Sequence, residues 1–453
     1  MMHKLLIANR GEIAVRIARA ARELGITTVA ACSEADTDAV SVRYADERVV
    51  IGPAPAGQSY LNVEALLGAA RQVSADAVHP GYGFLSENAD FAERVESEGM
   101  TWVGPSPHAI RLMGDKARAR STAQQVGVPT VAGSDGPVAD PDAAREAAAT
   151  VGFPVAIKAA AGGGGRGIRV VGSDEELESQ LPVAQAEARA AFGSPDVYIE
   201  RFVPRARHIE VQVFGDGTNF IHMGTRDCSM QRRRQKVIEE AGELGLPEHV
   251  ERGMTAAAVS LAEAVKYCGA GTVEFLYDAE RAEFAFIEMN TRIQVEHPVT
   301  EMVWGFDLVQ EQLLVAQGQP LSKFQEEHRP RGHAIEVRLN AEDPHLGFLP
   351  SPGPLERFRL PGGPFVRVDS GYEEGGQVPP FYDSLLAKII VWGATREEAI
   401  VRLSRALGEV EVTGVSTTVT FLRQVLDLPE FRTGTYHTRF LEDWMQQQHK
   451  GSR

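Results

Sequence analysis

Cysteine is scarce. Cys32, Cys228 and Cys268 are the only three in 453 residues, odd in number and widely spaced, which fits neither a disulfide framework nor a zinc site. A reducing, cytoplasmic compartment is expected. Long apolar runs are also missing. Nothing approaches the ~18–20 unbroken apolar residues of a membrane span, and Met1-Met2-His3-Lys4 leads straight into Leu5-Leu6-Ile7-Ala8 with no stretch long enough for a signal peptide. Positive charge is in deficit, with 46 Lys+Arg against 62 Asp+Glu and a formal net charge of −16. That balance disfavours non-specific attraction to nucleic-acid phosphates or anionic membranes, so an anionic ligand needs a locally basic pocket. Internal repeats and low-complexity tracts are absent.

What is present is a soluble, multidomain pattern. Length suggests two to four domains, and 43% hydrophobic with 24% charged residues is ordinary globular composition. Lys4 to Ala8 reads as a buried strand, Ile13, Ile17, Ala20 and Leu24 recur at helical spacing, and Thr27 to Ala31 reads as a second strand. This is a βαβ opening, but its turn carries only Gly11, so the G-x-G-x-x-G dinucleotide fingerprint is lacking. A later strand ends at Val78 and enters the loop His79 to Asn88, rich in residues beyond what turning requires. One helical stretch is expected from His108 through Gln125. Boundaries fall near residues 114 and 330, giving units 1–114, 115–330 and 331–447, with an inserted subdomain at about 131–203. The fold class is α/β and α+β multidomain.

Several patterns carry chemistry. Val155 to Lys158 reads as a strand entering Ala159 to Gly167, whose four adjacent glycines let amides approach phosphate oxygens. No Gly-Lys-[Ser/Thr] follows, so this is not a Walker A loop. Lys158 and Lys116 add cationic donors. Tyr198 to Val203 alternates like a half-buried strand and offers Glu200. Gly271 to Tyr277 and Phe284 to Asn290 read as a hairpin in which Glu274 faces Glu288, with Asn290 on the Glu288 face. Opposed carboxylates are destabilising unless a cation lies between them, and this set suits Mg²⁺. Arg292, Gln294 and Glu296 share a period of two, so an extended backbone projects all three to one side. Arg232, Arg233, Arg234 and Lys236 put four cations within five residues, better suited to phosphate and a second small anion than to nucleic acid. Cys228, Trp304 and Trp392 read as packing, and His79 and His297, each before a proline, as loop-orienting residues.

Together these strings resemble the biotin carboxylase subunits of biotin-dependent carboxylases, within the ATP-grasp superfamily. The resemblance rests on Ile7 to Ala14, the His79 to Asn88 loop, Arg111 to Lys116, Lys158 to Gly167, Arg226 to Arg233, Phe286 to Thr300 and His333 to Arg338, and runs over nearly the whole chain. It implies an N-terminal α/β domain, an ATP-grasp domain with a mobile lid, and a C-terminal α+β domain. The implied reaction is MgATP plus bicarbonate giving carboxyphosphate, then carboxylation of biotin on a separate biotin carboxyl carrier protein, as in acetyl-CoA carboxylase of fatty acid biosynthesis. By resemblance, Lys116, Lys158, Glu200, His208, Gln231 and Arg234 contact ATP, Gly164 and Gly165 cover its phosphates, and Val203 meets adenine. Glu274 and Glu288 serve both the nucleotide and, with Asn290, two Mg²⁺ or Mn²⁺ ions. Lys236, Arg292, Gln294 and Val295 surround bicarbonate, Glu296 is the general base, Arg338 stabilises the biotin enolate, and Tyr82 lines the biotin pocket.

The resemblance also implies a homodimer. Because no Met-Lys-Met biotinylation tripeptide and no transferase domain are found in the sequence, the biotin carrier and the carboxyltransferase subunits are expected to be separate chains. Neither nucleic acid nor membrane is an expected partner. Propionyl-CoA, other acyl-CoA and pyruvate carboxylases use subunits of this form, and another ATP-grasp ligase or a silent nucleotide-binding scaffold are the competing readings. Three positions depart from the family pattern. Arg234 stands where His or Asn is usual, Gly242 replaces a proline and suggests a looser connection, and Thr418 replaces an asparagine.

Overall fold

The computed structural model describes residues 2–134, 136–138, 140–159, 168–322, 325 and 329–451. Apolar runs form β1 (Lys4–Ile7), β2 (Thr27–Cys32), β3 (Glu47–Val50), β4 (Ala77–His79) and β5 (Thr101–Trp102). They pair in parallel in the order β3-β2-β1-β4-β5. Helix Gly11–Glu23 makes the first crossover and buries Ile13, Ala14 and Ile17 against the layer. Strand order reverses beside β1, so the loops after β1 and β4 open onto one crevice, where such sheets take ligands. Asn9 ties those loops together, its Nδ2 donating to the Pro80 and Tyr82 carbonyls at 2.6 and 2.7 Å.

The helical stretch expected from His108 is two helices, Pro107–Gly114 and Lys116–Gln125. Asp115 lies between them with extended backbone, and its side chain accepts from the Arg118 amide at 3.0 Å, starting the second helix rather than continuing the first. Next comes a small antiparallel sheet of β6 (Val155–Ala159), β7 (Ile168–Val171) and β8 (Val197–Arg201), ordered β7-β6-β8. Helices Pro141–Val151 and Asp174–Phe192 flank it, and Val155, Ile157, Leu177, Leu181, Val197 and Ile199 give it a core of its own. Gly164 and Gly165 lie outside the described residues.

Then follow β9 (Arg207–Asp216), β10 (Phe220–Arg232), β11 (Gln235–Ala241), β12 (Cys268–Asp278), β13 (Glu283–Asn290) and β14 (His333–Asn340). The remaining strands are β15 (Glu342–Asp343), β16 (Leu349–Pro350), β17 (Gly353–Pro354), β18 (Arg357–Arg359), β19 (Val366–Ser370), β20 (Gln377–Val378), β21 (Leu385–Gly393) and β22 (Glu411–Thr413). Eight of these make one antiparallel sheet ordered β13-β12-β9-β10-β11-β14-β21-β19. The β11–β14 pairing, with Glu239 opposite Glu336, carries this sheet across residue 330, so the sequence boundary there does not interrupt it. Among the described residues no helix is long and apolar enough to cross a membrane.

The connection at Gly242 is not loose. Its φ is +127°, and a Cβ there would stand 2.7 Å from the Gly332 carbonyl oxygen and 2.8 Å from His333 Nδ1. Proline cannot adopt that φ, so this backbone has taken a different close-packed course. Beside it, Glu240 is 2% exposed and joins the sheet to the C-terminal helices. It accepts from Arg396 at 2.7 and 2.8 Å, from the Tyr436 hydroxyl at 2.8 Å, and lies 2.7 Å from His333 Nε2.

Burial would raise the Glu240 carboxyl, but the His333 and Arg396 hydrogen bonds and the Arg396 charge hold it at about 2. A depressed carboxylate binds fewer protons folded than unfolded, so its contribution is present above the unfolded value of ~4.3 and is lost as pH falls through about 2. Glu240→Gln is expected to lower unfolding stability at pH 7 by about 3 kcal/mol and to flatten the acid limb over that window, read by urea titration at stepped pH. Gly242→Ala should lose about 2 kcal/mol in the same assay through its forbidden φ and the carbonyl clash.

Candidate active site

A cavity of about 1810 Å³ lies where the β1 and β4 loops, the small sheet and the large sheet converge. It is open to solvent on one side and has a buried, strongly charged floor. That floor is one face of the large sheet. Glu210 on β9 stands opposite Glu274 on β12 and opposite Arg226 on β10, while Glu274 stands opposite Glu288 on β13. The register places the two hairpin carboxylates face to face as the sequence suggests, although the pairing slips beyond them, where Phe275 meets Phe286.

Four carboxylates share this space, Glu296 joining Glu210, Glu274 and Glu288, and they require cations. Lys236 Nζ supplies one at the centre, with a short contact to Glu210, 2.6 Å to Glu296 and 3.3 Å to Glu274. His208 Nε2 adds a second, 3.0 Å from Glu274 and 3.4 Å from Glu210. Beside Glu210 on the same face, the fully buried Arg226 contacts Glu210, Gln212, Thr272, Thr300 and Gln294. Arg338 bridges Glu239 at 2.7 Å and Glu296 at 2.8 Å. Burial works to raise the Glu296 carboxyl, and Lys236 and Arg338 overcome it and hold the group at about 2 despite the neighbouring Glu210. Glu296 is therefore ionised at neutral pH. His208 is driven the other way: burial opposes its charge, yet Glu274 and Glu210 lift it to about 10.

Residues 291–296 are not an extended edge strand. They bend and turn into helix His297–Trp304, with Pro298 in its first turn. The turn closes because the Gln294 carbonyl accepts from the His297 amide at 3.3 Å and lies 2.7 Å from His297 Nδ1. Arg292, Gln294 and Glu296 nonetheless all line the cavity. Gln294 Nε2 donates to Glu274 at 3.0 Å, while Arg292 reaches Glu87 at 2.9 Å and Asn290 Oδ1 at 3.0 Å.

Glu274, Glu288 and Asn290 present an all-oxygen donor set. Burial, the facing Glu274 and Glu87 raise the Glu288 carboxyl against Lys116 and His208, an imbalance that a hard divalent cation would relieve. Asn290 donates through Nδ2 to Glu274 at 2.7 Å, and its oxygen keeps a lone pair beyond the one Arg292 uses. The residues therefore fit Mg²⁺ or Mn²⁺. A tighter group, His208, Glu210 and Glu274, has ligand atoms within 4.8 Å of one another, but Lys236 already supplies its positive charge.

At the other side of the cavity Lys158 pairs closely with Glu200, which also meets Arg120 at 3.2 Å. Lys116, Val203, Gln231, Val295 and Tyr82 line the same space. The four-cation run divides. Arg233 and Arg234, at φ 46° and 67°, form the two-residue β10–β11 turn and line the cavity with Lys236. Arg232 instead lies 3.9 Å over the Phe348 ring and 3.8 Å from Glu342, outside it. Two arginines in left-handed backbone where Asn-Gly is usual mark a strained turn held at the cavity wall.

Glu210, Arg226 and Glu239 were not singled out in the sequence. A signal for the first existed: His208, Glu210 and Gln212 alternate with Ile209, Val211 and Val213, an unusual polar face on a strand this apolar. Thr418, one of the three departures noted in the sequence, bonds the backbone behind Arg338. It accepts from the Asn340 amide at 3.0 Å and donates to the Arg338 carbonyl at 3.3 Å.

Residues 1–110 match the biotin carboxylase N-terminal domain, residues 115–324 the ATP-binding domain of the carbamoyl-phosphate synthase L chain, and residues 336–443 the biotin carboxylase C-terminal domain. Biotin carboxylase 1 of Bacillus subtilis is 53% identical over 445 residues, covering 98% of this chain and 99% of its own. The biotin carboxylase domain of Hydrogenobacter thermophilus 2-oxoglutarate carboxylase, a dimer solved with MgADP, ADP and bicarbonate, superposes with a TM-score of 0.89 at 47% identity over 98% of both chains. Campylobacter jejuni biotin carboxylase, solved as a β,γ-ATP complex, gives 0.91 at 45% identity over 98% of this chain and 99% of that one. The fold is that of an ATP-grasp ligase. The chain belongs to the biotin carboxylase family.

Arg226→Met is expected to leave Glu210 buried with one cation fewer and to cost about 3–5 kcal/mol of stability, read as a lower urea midpoint with unchanged slope. A change under about 1 kcal/mol would contradict the account of the floor.

Proposed function

We propose that this chain carries out the first half-reaction of a biotin-dependent carboxylase: MgATP phosphorylates bicarbonate to carboxyphosphate, whose CO₂ then carboxylates the ureido nitrogen of carrier-bound biotin. The observation that carries this reading is Glu296, ionised beside Lys236 and Arg338 and sharing a cavity with Arg292, Glu274, Glu288 and Lys158. Bicarbonate is a weak nucleophile and needs a base on its proton and cations on the transferring phosphoryl group.

In this reading residues 1–114, 115–330 and 331–447 are the N-terminal, ATP-grasp and C-terminal units, and about 131–203 is the lid. Lys116, Lys158, Glu200, Val203, His208, Gln231 and Arg234 hold ATP, with Gly164 and Gly165 over its phosphates. Glu274, Glu288 and Asn290 hold Mg²⁺ or Mn²⁺, which when bound neutralises the phosphate oxygens. Lys236, Arg292, Gln294 and the Val295 backbone hold bicarbonate. That anion, arriving beside Glu296, raises the proton affinity of a carboxylate its neighbours otherwise keep low, and so equips it as a base. Carboxyphosphate then breaks to CO₂ and phosphate, and the phosphate takes the biotin nitrogen's proton. Arg338 stabilises the biotin enolate, and Tyr82 lines the biotin pocket. Lid closure protects the short-lived intermediate from water.

A homodimer, a biotin carboxyl carrier protein, carboxyltransferase subunits and a cytoplasmic location complete the reading, with acetyl-CoA as the acceptor of the full complex. That acceptor never enters this cavity. A subunit of the same form serves equally in propionyl-CoA, acyl-CoA or pyruvate carboxylases.

Phosphate release from MgATP by the purified chain is expected to depend on bicarbonate, to rise with free biotin, and to fall at least 100-fold in Glu296→Ala. Release indifferent to bicarbonate and biotin would point to another ATP-grasp ligase. Arg234→His should retain turnover while shifting the KM for MgATP, because a permanent cation is replaced by a titrating one. Unchanged kinetics in that variant would remove Arg234 from the nucleotide site.

A further inference from the structure

Lys388 lies on β21, opposite Arg338 of β14 and Asp369 of β19, and is 0% exposed. Its Nζ donates to the Val295 carbonyl at 2.8 Å, and lies 3.0 Å from Glu12 Oε1 and 3.9 Å from Asp369 Oδ2. Glu12 in turn accepts a short hydrogen bond from the Tyr82 hydroxyl. One ammonium thus joins the C-terminal sheet, the first helix of the chain, the loop after β4 and the turn that carries Val295 and Glu296.

The carbonyl it holds is an informative one. Helix His297–Trp304 begins at Glu296, whose own carbonyl accepts from the Val299 amide at 3.3 Å. The Val295 carbonyl precedes that first helical bond and takes its partner from Lys388 instead. The peptide on the other side of Val295 is fixed too, since the Gln294 carbonyl lies 2.7 Å from His297 Nδ1 and accepts from the His297 amide. In a planar trans peptide the N–H points opposite to the C=O. Holding the Gln294 carbonyl on His297 therefore aims the Val295 N–H away from it, and holding the Val295 carbonyl on Lys388 fixes the peptide that leads into Glu296. Both planes flanking Val295 are clamped, one by a buried imidazole and one by a buried ammonium.

We infer that Lys388 is a positioning residue for bicarbonate, acting through the Val295 carbonyl to fix the turn that presents the Val295 amide and the Glu296 carboxylate. This inference rests on the reading above of Val295 and Glu296 as bicarbonate groups. Lys388 itself does not line the cavity, so its effect is on where those groups stand and not on the reacting atoms. A role in charge balance alone would be complete with Glu12 and Asp369 and would not involve the turn.

The test separates these roles. Lys388→Met alone strands the buried Glu12 and is prone to unfold, so the decisive variant is Lys388→Met with Glu12→Gln, which removes both charges together. Bicarbonate-dependent phosphate release is measured for wild type, for Glu12→Gln and for the double variant, varying bicarbonate and MgATP separately, with melting curves alongside. The double variant is expected to raise the KM for bicarbonate about 10-fold or more, the scale of one lost charge-assisted hydrogen bond. Its KM for MgATP should stay within about twofold, and Glu12→Gln, which keeps the Lys388 donor, should stay near wild type for both. A folded double variant with wild-type bicarbonate KM, or one in which both KM values rise together, would overturn the assignment. Wild-type turnover indifferent to bicarbonate would overturn the underlying function as well, and the wild-type arm alone reveals it.

Discussion

The site depends on one ammonium group among three carboxylates. Lys236 contacts Glu210, Glu274 and Glu296 at once, in a floor buried on both sides, where an uncompensated charge would be very costly. Much of the surrounding structure serves that balance. Arg226 neutralises Glu210 from the neighbouring strand, His208 is kept protonated by Glu210 and Glu274, and Arg338 shares Glu296 with Lys236. The result is a pocket whose floor sets fixed cations among buried carboxylates inside a chain of net charge −16. Local arrangement outweighs overall charge because buried charges at contact distance interact far more strongly than screened surface ones.

The fold supplies these groups from separate places. The β1–β4 crevice gives Tyr82 and the Glu87 partner of Arg292, the small sheet gives Lys158 and Glu200, and the continuous eight-stranded sheet gives the charged floor. Because β11 pairs directly with β14, sheet hydrogen bonding sets Arg338 beside Glu239 of β11, and from there its guanidinium reaches Glu296 in the turn after β13. The small sheet has its own core, and Lys158, Ile168 and Val170 from its strands line the cavity.

Local patterns were legible in the sequence, and distant pairings were not. The βαβ opening and the facing of Glu274 and Glu288 follow from periodicity and hairpin arithmetic, which depend only on neighbouring residues. The break at Asp115 hid inside a continuous helical pattern, since a cap is a single side-chain hydrogen bond. The bend at residues 291–296 was hidden because a period of two is shared by strands and by this turn, and only the His297 capture of the Gln294 carbonyl decides between them. Gly242 read as slack in the chain, yet its positive φ and the carbonyl packed against it make it one of the tightest points. Glu210, Arg226 and Lys388 escaped notice because their partners lie on other strands or far along the chain.

The most direct measurement of the central claim is transfer of label from ¹⁴C-bicarbonate to free biotin by the purified chain with MgATP. The account predicts acid-labile, ATP-dependent label on biotin, abolished in Lys236→Met while the folded variant still binds nucleotide. Label transfer that survives removal of Lys236, or ADP formation with no label on biotin in the wild type, would contradict it.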